Sequence, residues 1–317
     1  MAQDGDSSPA ALVIAATVAR RYYLDGLTKS DIAAELSLSR FKVARLLDHA
    51  RATGLIRIEL DYRGEISLDL SVRLSTAFGL RHCVVIESPE DDDTLLRINL
   101  GRTGARLLTE ITETGDVLGL AWSRSLMAMR TSLVRLAPCT VVQLTGALSS
   151  RDFDESSIDL VRDVARTSTG RALFFYAPMI VPDAATAQVL RTQPDVARAM
   201  SRFPDLTKAV VGLGAWQPGL STVADAVTDA EWREMYELGV RAEVCGIQLD
   251  AEGIPVKTSL TDRLIGIEAE QLRAVPEVIA VAYGTPKAPA VHAALRGGFI
   301  TSLVTHASMA RVLLGGT

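Results

Sequence analysis

Hydrophobic positions follow two different rhythms along the 317 residues. Near the start they recur at helical spacing. Leu12, Val13, Ala16, Ala19 and Tyr23 form one stripe, Ile32, Ala33 and Leu36 a second, and Val43, Leu46, Leu47 and Ala50 a third. Punctuation separates the three. Gly26 breaks the first, and Thr28, followed three residues on by Asp31, opens the second as an N-cap with a capping-box partner. Ser39 caps the third, and Gly54 suits its C-terminal end in the left-handed conformation. Residues 55–60 (Leu-Ile-Arg-Ile-Glu-Leu) then alternate as a strand would. Three helices with a tight turn before the third, followed by a wing-like strand, predict a winged helix-turn-helix over residues 10–62, with 1–9 as a disordered start.

The second rhythm begins with a helical connecting segment over 61–79 (Ile66, Leu70, Leu74, Ala77, Phe78). Short β-rich runs then alternate with helical ones. Strands are predicted at 82–86, 116–121, 140–144, 172–175, 209–213, 243–249, 278–282 and 301–304, and helices at 93–112 and 123–134 between the first three. Such alternation implies a mostly parallel sheet covered on both faces, a Rossmann-like α/β domain over 63–317. In these sheets ligands lie beyond the carboxyl ends of the strands.

Charge sharpens the division. Residues 10–58 carry eight basic and four acidic groups, a net +4 in a chain of −5, which leaves −9 for the remainder. One part is suited to a polyanion and the other is not. A major groove admits one α-helix, and the third helix presents Ser39, Arg40, Phe41 and Lys42 in its first turn with Arg45 one turn on. These residues and Thr28 are the candidate DNA contacts; a protein-binding module with a charged face is the blander alternative.

The remaining composition excludes other classes. Residues 1–9 lack the basic and apolar regions of a signal peptide, and no apolar run approaches the roughly 18 residues that span a bilayer, so a cytoplasmic protein is expected. Cys83, Cys139 and Cys245 are odd in number and widely spaced, as buried reduced thiols would be. Neither metal-ligand spacing nor a Gly-x-Gly-x-x-Gly loop occurs, so no metal or cofactor is expected.

Several loops carry chemistry suited to a small ligand. Trp122-Ser123-Arg124-Ser125 follows a strand and opens a helix, so N–H groups, hydroxyls and a guanidinium can converge on an anion, although Ser123 as a simple N-cap explains it too. Gln143, Thr145 and Gly146 end the next strand with an amide, a hydroxyl and a residue that lets backbone approach a ligand. Gly212 and Gly214 serve either a ligand or a turn, and Asp250 with Gly253 reads by default as a β-turn. Gly284-Thr285-Pro286-Lys287 leads into the last helical pair, and Lys287 is one of three lysines in the body, beside Lys208 and Lys257.

Five segments, in order, resemble the SorC family of sugar-binding transcriptional regulators: LTKSDIAAELSLSRFKVARLLDHARATGLIRIEL, GDVLGLAWSRSL, VVQLTGAL, VCGIQLDAEGIPV and VIAVAYGTPKAPAVHAALRGGFITSLVTHASMARVLL. The likeness runs along nearly the whole chain after Pro9. It implies a DeoR-like head, a body related in fold to sugar-phosphate isomerases, a homodimer or homotetramer on palindromic operator DNA, and a phosphorylated sugar or polyol as effector. It also implies an acidic role for Asp250 on sugar hydroxyls and a phosphate-contacting role for Lys287. The chain departs from the pattern in having Ser123 where glycine is common, His306-Ala307 where an Asp-Glu pair is common, and Ile247 where arginine is frequent. These departures leave the fold intact and open the effector to fewer anionic groups, down to a free polyol. The rival from another class is a sugar-phosphate isomerase or lyase carrying a DNA-binding head. Asp250, Glu252, Lys287, His292 and His306 are available to it but form no recognised catalytic constellation. A third reading is a protein–protein adaptor that has lost its ligand.

Overall fold

The computed structural model describes residues 8–56, 65–88, 93–148 and 157–315. The chain divides into two compact units, Met1–Tyr62 and Arg63–Thr317.

In the first unit Ser8 accepts a hydrogen bond from Ala11 N and caps α1 (Pro9–Tyr23), so the helix starts inside the stretch expected to be disordered. Thr28 and Asp31 form the reciprocal capping box of α2 (Lys29–Glu35). Ser37, with φ 52°, turns the chain, and Ser39 caps α3 (Arg40–Ala52) by accepting from Lys42 N. Val18, Ala19, Ile32, Val43 and Leu47 form the core of this unit. Arg21 ties α1 to α2, pairing with Glu35 at 2.7 Å. The stripe predicted for α1 is offset from the buried one: Ala15, Val18 and Ala19 face inward while Leu12, Val13 and Ala16 are exposed. The inner arc is set by which residues meet α3, and small side chains permit the close approach. Of the wing expected at 55–60, Leu55 and Ile56 are described; 57–60 lie outside the described residues, as do 1–7 and the opening 61–64 of the connecting segment.

The second unit begins with a bridge from Ile66 to Ile86 and with α4 (Leu68–Phe78), which ends at Gly79 in the left-handed conformation (φ 63°). There follow β1 (His82–Ile86), α5 (Asp93–Ile111), β2 (Val117–Leu120), α6 (Arg124–Ser132), β3 (Thr140–Gln143), α7 (Ser157–Thr167) and β4 (Arg171–Leu173). Then come α8 (Ala184–Arg191), α9 (Pro194–Met200), β5 (Lys208–Val211), β6 (Leu213–Ala215), α10 (Asp229–Glu237), β7 (Ala242–Val244) and β8 (Ile247–Leu249). The chain closes with α11 (Ala269–Ala274), β9 (Glu277–Val281), α12 (Ala288–Arg296), β10 (Ser302–His306) and α13 (Ala307–Gly315).

Among the described residues seven strands make one parallel sheet in the order β1-β10-β9-β5-β2-β3-β4. Strand residues alternate between two cores. Val278 and Ala280 of β9 enter the core covered by α4, α12 and α13, whereas Ile279 and Val281 enter the one covered by α5, α6 and α7. This two-sided burial explains why the strands read as unbroken apolar runs. The order also sets a switch point. From β2 the chain winds outward through β3 and β4, then returns to place β5 on the other side of β2. Loops after β2 and β5 therefore diverge and leave a crevice between them.

A strand expectation is also corrected. Residues 243–249 do not form a single strand: β7 and β8 are a hairpin in a small antiparallel sheet with β6. Cys245 (φ 53°) and Gly246 (φ 81°) form a two-residue turn with positive φ at both positions. That geometry suits a tight hairpin, and the cysteine hid it because Asn-Gly is the usual signal. The three cysteines are free, Cys139 and Cys245 buried and Cys83 half-buried; burial pushes the Cys83 thiol up to about 12. Among the described residues no helix is long and apolar enough to cross a membrane, and no acidic, His and Cys side chains cluster to hold a metal.

Candidate functional site

In the head, capping leaves the first turn of α3 free of internal duties beyond the Ser39 cap. Arg40, Phe41, Lys42 and Arg45 are exposed, Phe41 at 84%. None of the three cations there makes an ion pair among the described residues. Thr28 faces its own capping box, with its hydroxyl 2.6 Å from Asp31.

In the body, an open cleft of about 750 Å³, counting solvent at its mouth, lies at the switch point. It is built from the loops beyond the carboxyl ends of β2, β3, β5 and β9. Ser123, Arg124, Ser125, Thr145, Gly146, Gly212 and Lys287, named from the sequence, all line it. Ser123 accepts from Leu126 N at 3.2 Å, so it caps α6 and aims that helix N-terminus at the cleft. Gly212 has a packing reason: a Cβ there would collide with Ser123 Cβ and lie 2.7 Å from its Oγ. Gly146 is likewise pressed against the Pro178 backbone. Both glycines shape the cleft by letting segments pack closely.

Lys287 supplies the cation. Its Nζ lies 4.8 Å from the centre of the Tyr283 ring and makes no ion pair or hydrogen bond among the described residues. Burial, followed by the nearby Arg124, holds its pKa below the ordinary lysine value. A desolvated ammonium facing a cleft is a receptor for an anion.

Three residues named from the sequence do not join this group. Gln143 is fully buried; its Nε2 donates to Thr145 O at 2.8 Å and Ser157 Oγ at 3.1 Å, and its Oε1 accepts from Phe175 N at 3.0 Å. With those bonds it locks the end of β3 to α7. Asp250 accepts from Glu252 N and Ile254 N at 3.0 and 2.8 Å, closing the turn after β8. Gly253 packs against the end of α12, where a Cβ would lie 2.5 Å from Gly297 N, so the plain turn reading describes both. Gly214 lines the cleft and is required by crowding, since a Cβ would come within 2.6 Å of Ser221 Cβ.

The acid missed from the sequence is Glu243. It is buried on β7 and lines the cleft. Its Oε1 accepts from Ser221 Oγ at 3.0 Å and its Oε2 from Gly246 N at 3.1 Å. Burial raises its pKa, opposed by those two bonds and by Lys287. A lone carboxylate inside the apolar run AEVCG was the available signal, because charged side chains are rarely fully buried without a task or a partner. Ser221, Tyr283 and Trp122 complete the polar and aromatic lining.

A family model described as "Putative sugar-binding domain" matches residues 62–315. The transcriptional regulator YjhU of Escherichia coli K12 is 30% identical over 302 residues, covering 92% of each chain. The transcriptional regulator LsrR of Klebsiella pneumoniae is 30% identical over 308 residues, with 95% of this chain and 92% of that one covered. Among solved structures, the full-length sorbitol operon regulator SorC from Klebsiella pneumoniae superposes with a TM-score of 0.73 at 25% identity, over 96% of this chain and 99% of that one. The likeness spans both the capped helices of the head and the switch-point cleft of the body, and on these grounds the chain belongs to the SorC family of sugar-binding transcriptional regulators.

Proposed function

We propose that this regulator, acting in the cytoplasm, binds operator DNA through the first turn of α3 and releases or seats it according to whether a small phosphorylated sugar or polyol fills the switch-point cleft. The observation that carries the reading is the convergence of the α6 N-terminus, Ser123, Arg124 and Lys287 on one cleft, opposite the buried carboxylate of Glu243. A phosphate beside Lys287 and Arg124 gains charge-assisted hydrogen bonds, and Glu243 and Thr145 accept from or donate to hydroxyls. On the DNA side Arg40, Lys42 and Arg45 reach phosphates or guanine edges, and the exposed Phe41 ring suits a thymine methyl.

One α3 helix reads only a few base pairs, so two copies act together on the halves of a palindromic operator about one helical turn, or a multiple, apart. The body is a receptor rather than a catalyst. Glu243 is oriented by Ser221 and Gly246 to accept from ligand hydroxyls. Incubation with sugar phosphates and free polyols tests this: a thermal shift without turnover is expected. Turnover would favour the isomerase or lyase reading, and the absence of any shift across both ligand sets would favour the adaptor.

A further inference from the structure

Lys287 carries the cleft's ammonium on a turn that needs outside support. Gly284 opens this turn at φ 82° and ψ 110°, a backbone conformation that side chains resist. Its carbonyl accepts from Lys287 N at 2.9 Å, so the placement of Gly284 sets where the lysine backbone lies. Its own N–H donates to Nε2 of His306 at 3.1 Å. His306 is buried at the carboxyl end of β10, where its backbone is in register with Ile86 of β1. The neighbouring Thr305 hydroxyl donates to Ala282 O at 2.9 Å, which fastens β10 to the segment leading into the turn. A backbone N–H can only donate, so Nε2 must present a lone pair and the ring proton sits on Nδ1.

We propose that His306 is the positioning residue of the cleft: its imidazole holds the Gly284 turn, and the turn holds Lys287 over the ligand. The ring of His306 takes this load as an acceptor. The consequence for binding rests on the reading of Lys287 as the anion receptor; the placement of the lysine does not.

The test uses the full chain without ligand. Competitive acetylation with acetic anhydride over an alkaline pH series, read by peptide mass spectrometry, reports the labelling midpoint of Lys287 against the exposed Lys42. In the wild type Lys287 should label with a midpoint below the ordinary lysine value. His306→Leu should move it up towards the ordinary lysine value, and His306→Gln, which offers an acceptor to the same N–H, should bring it back. An unmoved midpoint in His306→Leu overturns the proposal, as does a failure of His306→Gln to restore it. If His306→Leu does not fold, the comparison is His306→Gln against the shorter His306→Asn, with the same two outcomes. Inorganic phosphate, titrated against the intrinsic fluorescence to which Trp122 at the cleft contributes, adds a binding arm. A roughly five- to tenfold loss of affinity in the unsupported variant agrees with the proposal, and wild-type affinity there overturns it. Failure of the wild type itself to bind phosphate removes the anion reading, and the labelling still decides the role of His306.

Discussion

Replacing Lys287 with methionine should make the ligand-free protein more stable while making it nearly blind to its effector. The side chain is part-buried, has no ion-pair partner among the described residues, and rests on the Tyr283 face. Methionine keeps the length and the apolar contact and removes the charge. Loss of a charge-assisted hydrogen bond to a phosphate costs about 1.5–3 kcal/mol, or roughly ten- to 150-fold in Kd. Stability moves the other way. The lysine is held below its ordinary value, first by burial and then by Arg124. At neutral pH the charged folded form therefore bears the whole desolvation penalty. As pH rises through the folded value towards 10.5 the unfolded chain binds more protons, so the wild type recovers stability and the advantage of the variant disappears. Each kcal/mol relieved would appear as about 2–4 °C in Tm for a unit of this size. Calorimetric titration with the effector gives the affinity, and thermal melts at neutral and alkaline pH give the stability. Wild-type effector affinity in Lys287→Met, or a variant less stable than wild type at neutral pH, would refute the reasoning.

Other perturbations test other parts. Arg40→Ala, Lys42→Ala and Arg45→Ala should each weaken operator binding, by about 1–3 kcal/mol where the side chain reads a base, and with a shallower salt dependence where it meets a phosphate; a folded triple variant with wild-type affinity would remove α3 as the reading helix. Gly212→Ala forces a Cβ into Ser123 and should cost about 1–3 kcal/mol in stability together with effector binding, both measurable by melts with and without ligand. Glu231, paired with Arg263 at 2.5 Å and bonded to Thr228, is held down to about 2, first by the Arg263 bond. Its contribution, up to about 3 kcal/mol, is present above pH 4.5 and is lost as pH falls towards 2; Arg263→Met should flatten acid denaturation curves over that window.

The sequence revealed the architecture where local rules act alone. Capping residues Thr28 and Ser39 stand where their side chains announce them, and the β1 run 82–86 was legible because a fully buried strand is apolar throughout. That Ser123, Lys287 and Thr145 would lie at the carboxyl edge of the sheet was legible, because each follows a predicted strand. Asp250 was ambiguous because an Asx turn, which the structure shows, and a sugar-binding acid look alike in one dimension. Glu243 was overlooked because the positive-φ turn after β7 carries Cys245 where asparagine is usual, which hid the hairpin. The structural bonds of Gln143 were hidden for a third reason: its partners Ser157 and Phe175 are distant in sequence, and only tertiary structure discloses them.

The pairing of β1 with β10 has a consequence for how the molecule is made. His82 lies opposite Ser302, so the second strand of that pair leaves the ribosome some 220 residues after the first. Until then β1, an all-apolar run after its first residue, has no strand neighbour in the sheet, and α4 lacks α13 as a packing partner. The head can close its own small core early, because its contacts are local; the body must wait for β10 and α13. Premature termination near residue 296 would strand a finished DNA-reading unit on an open, aggregation-prone sheet.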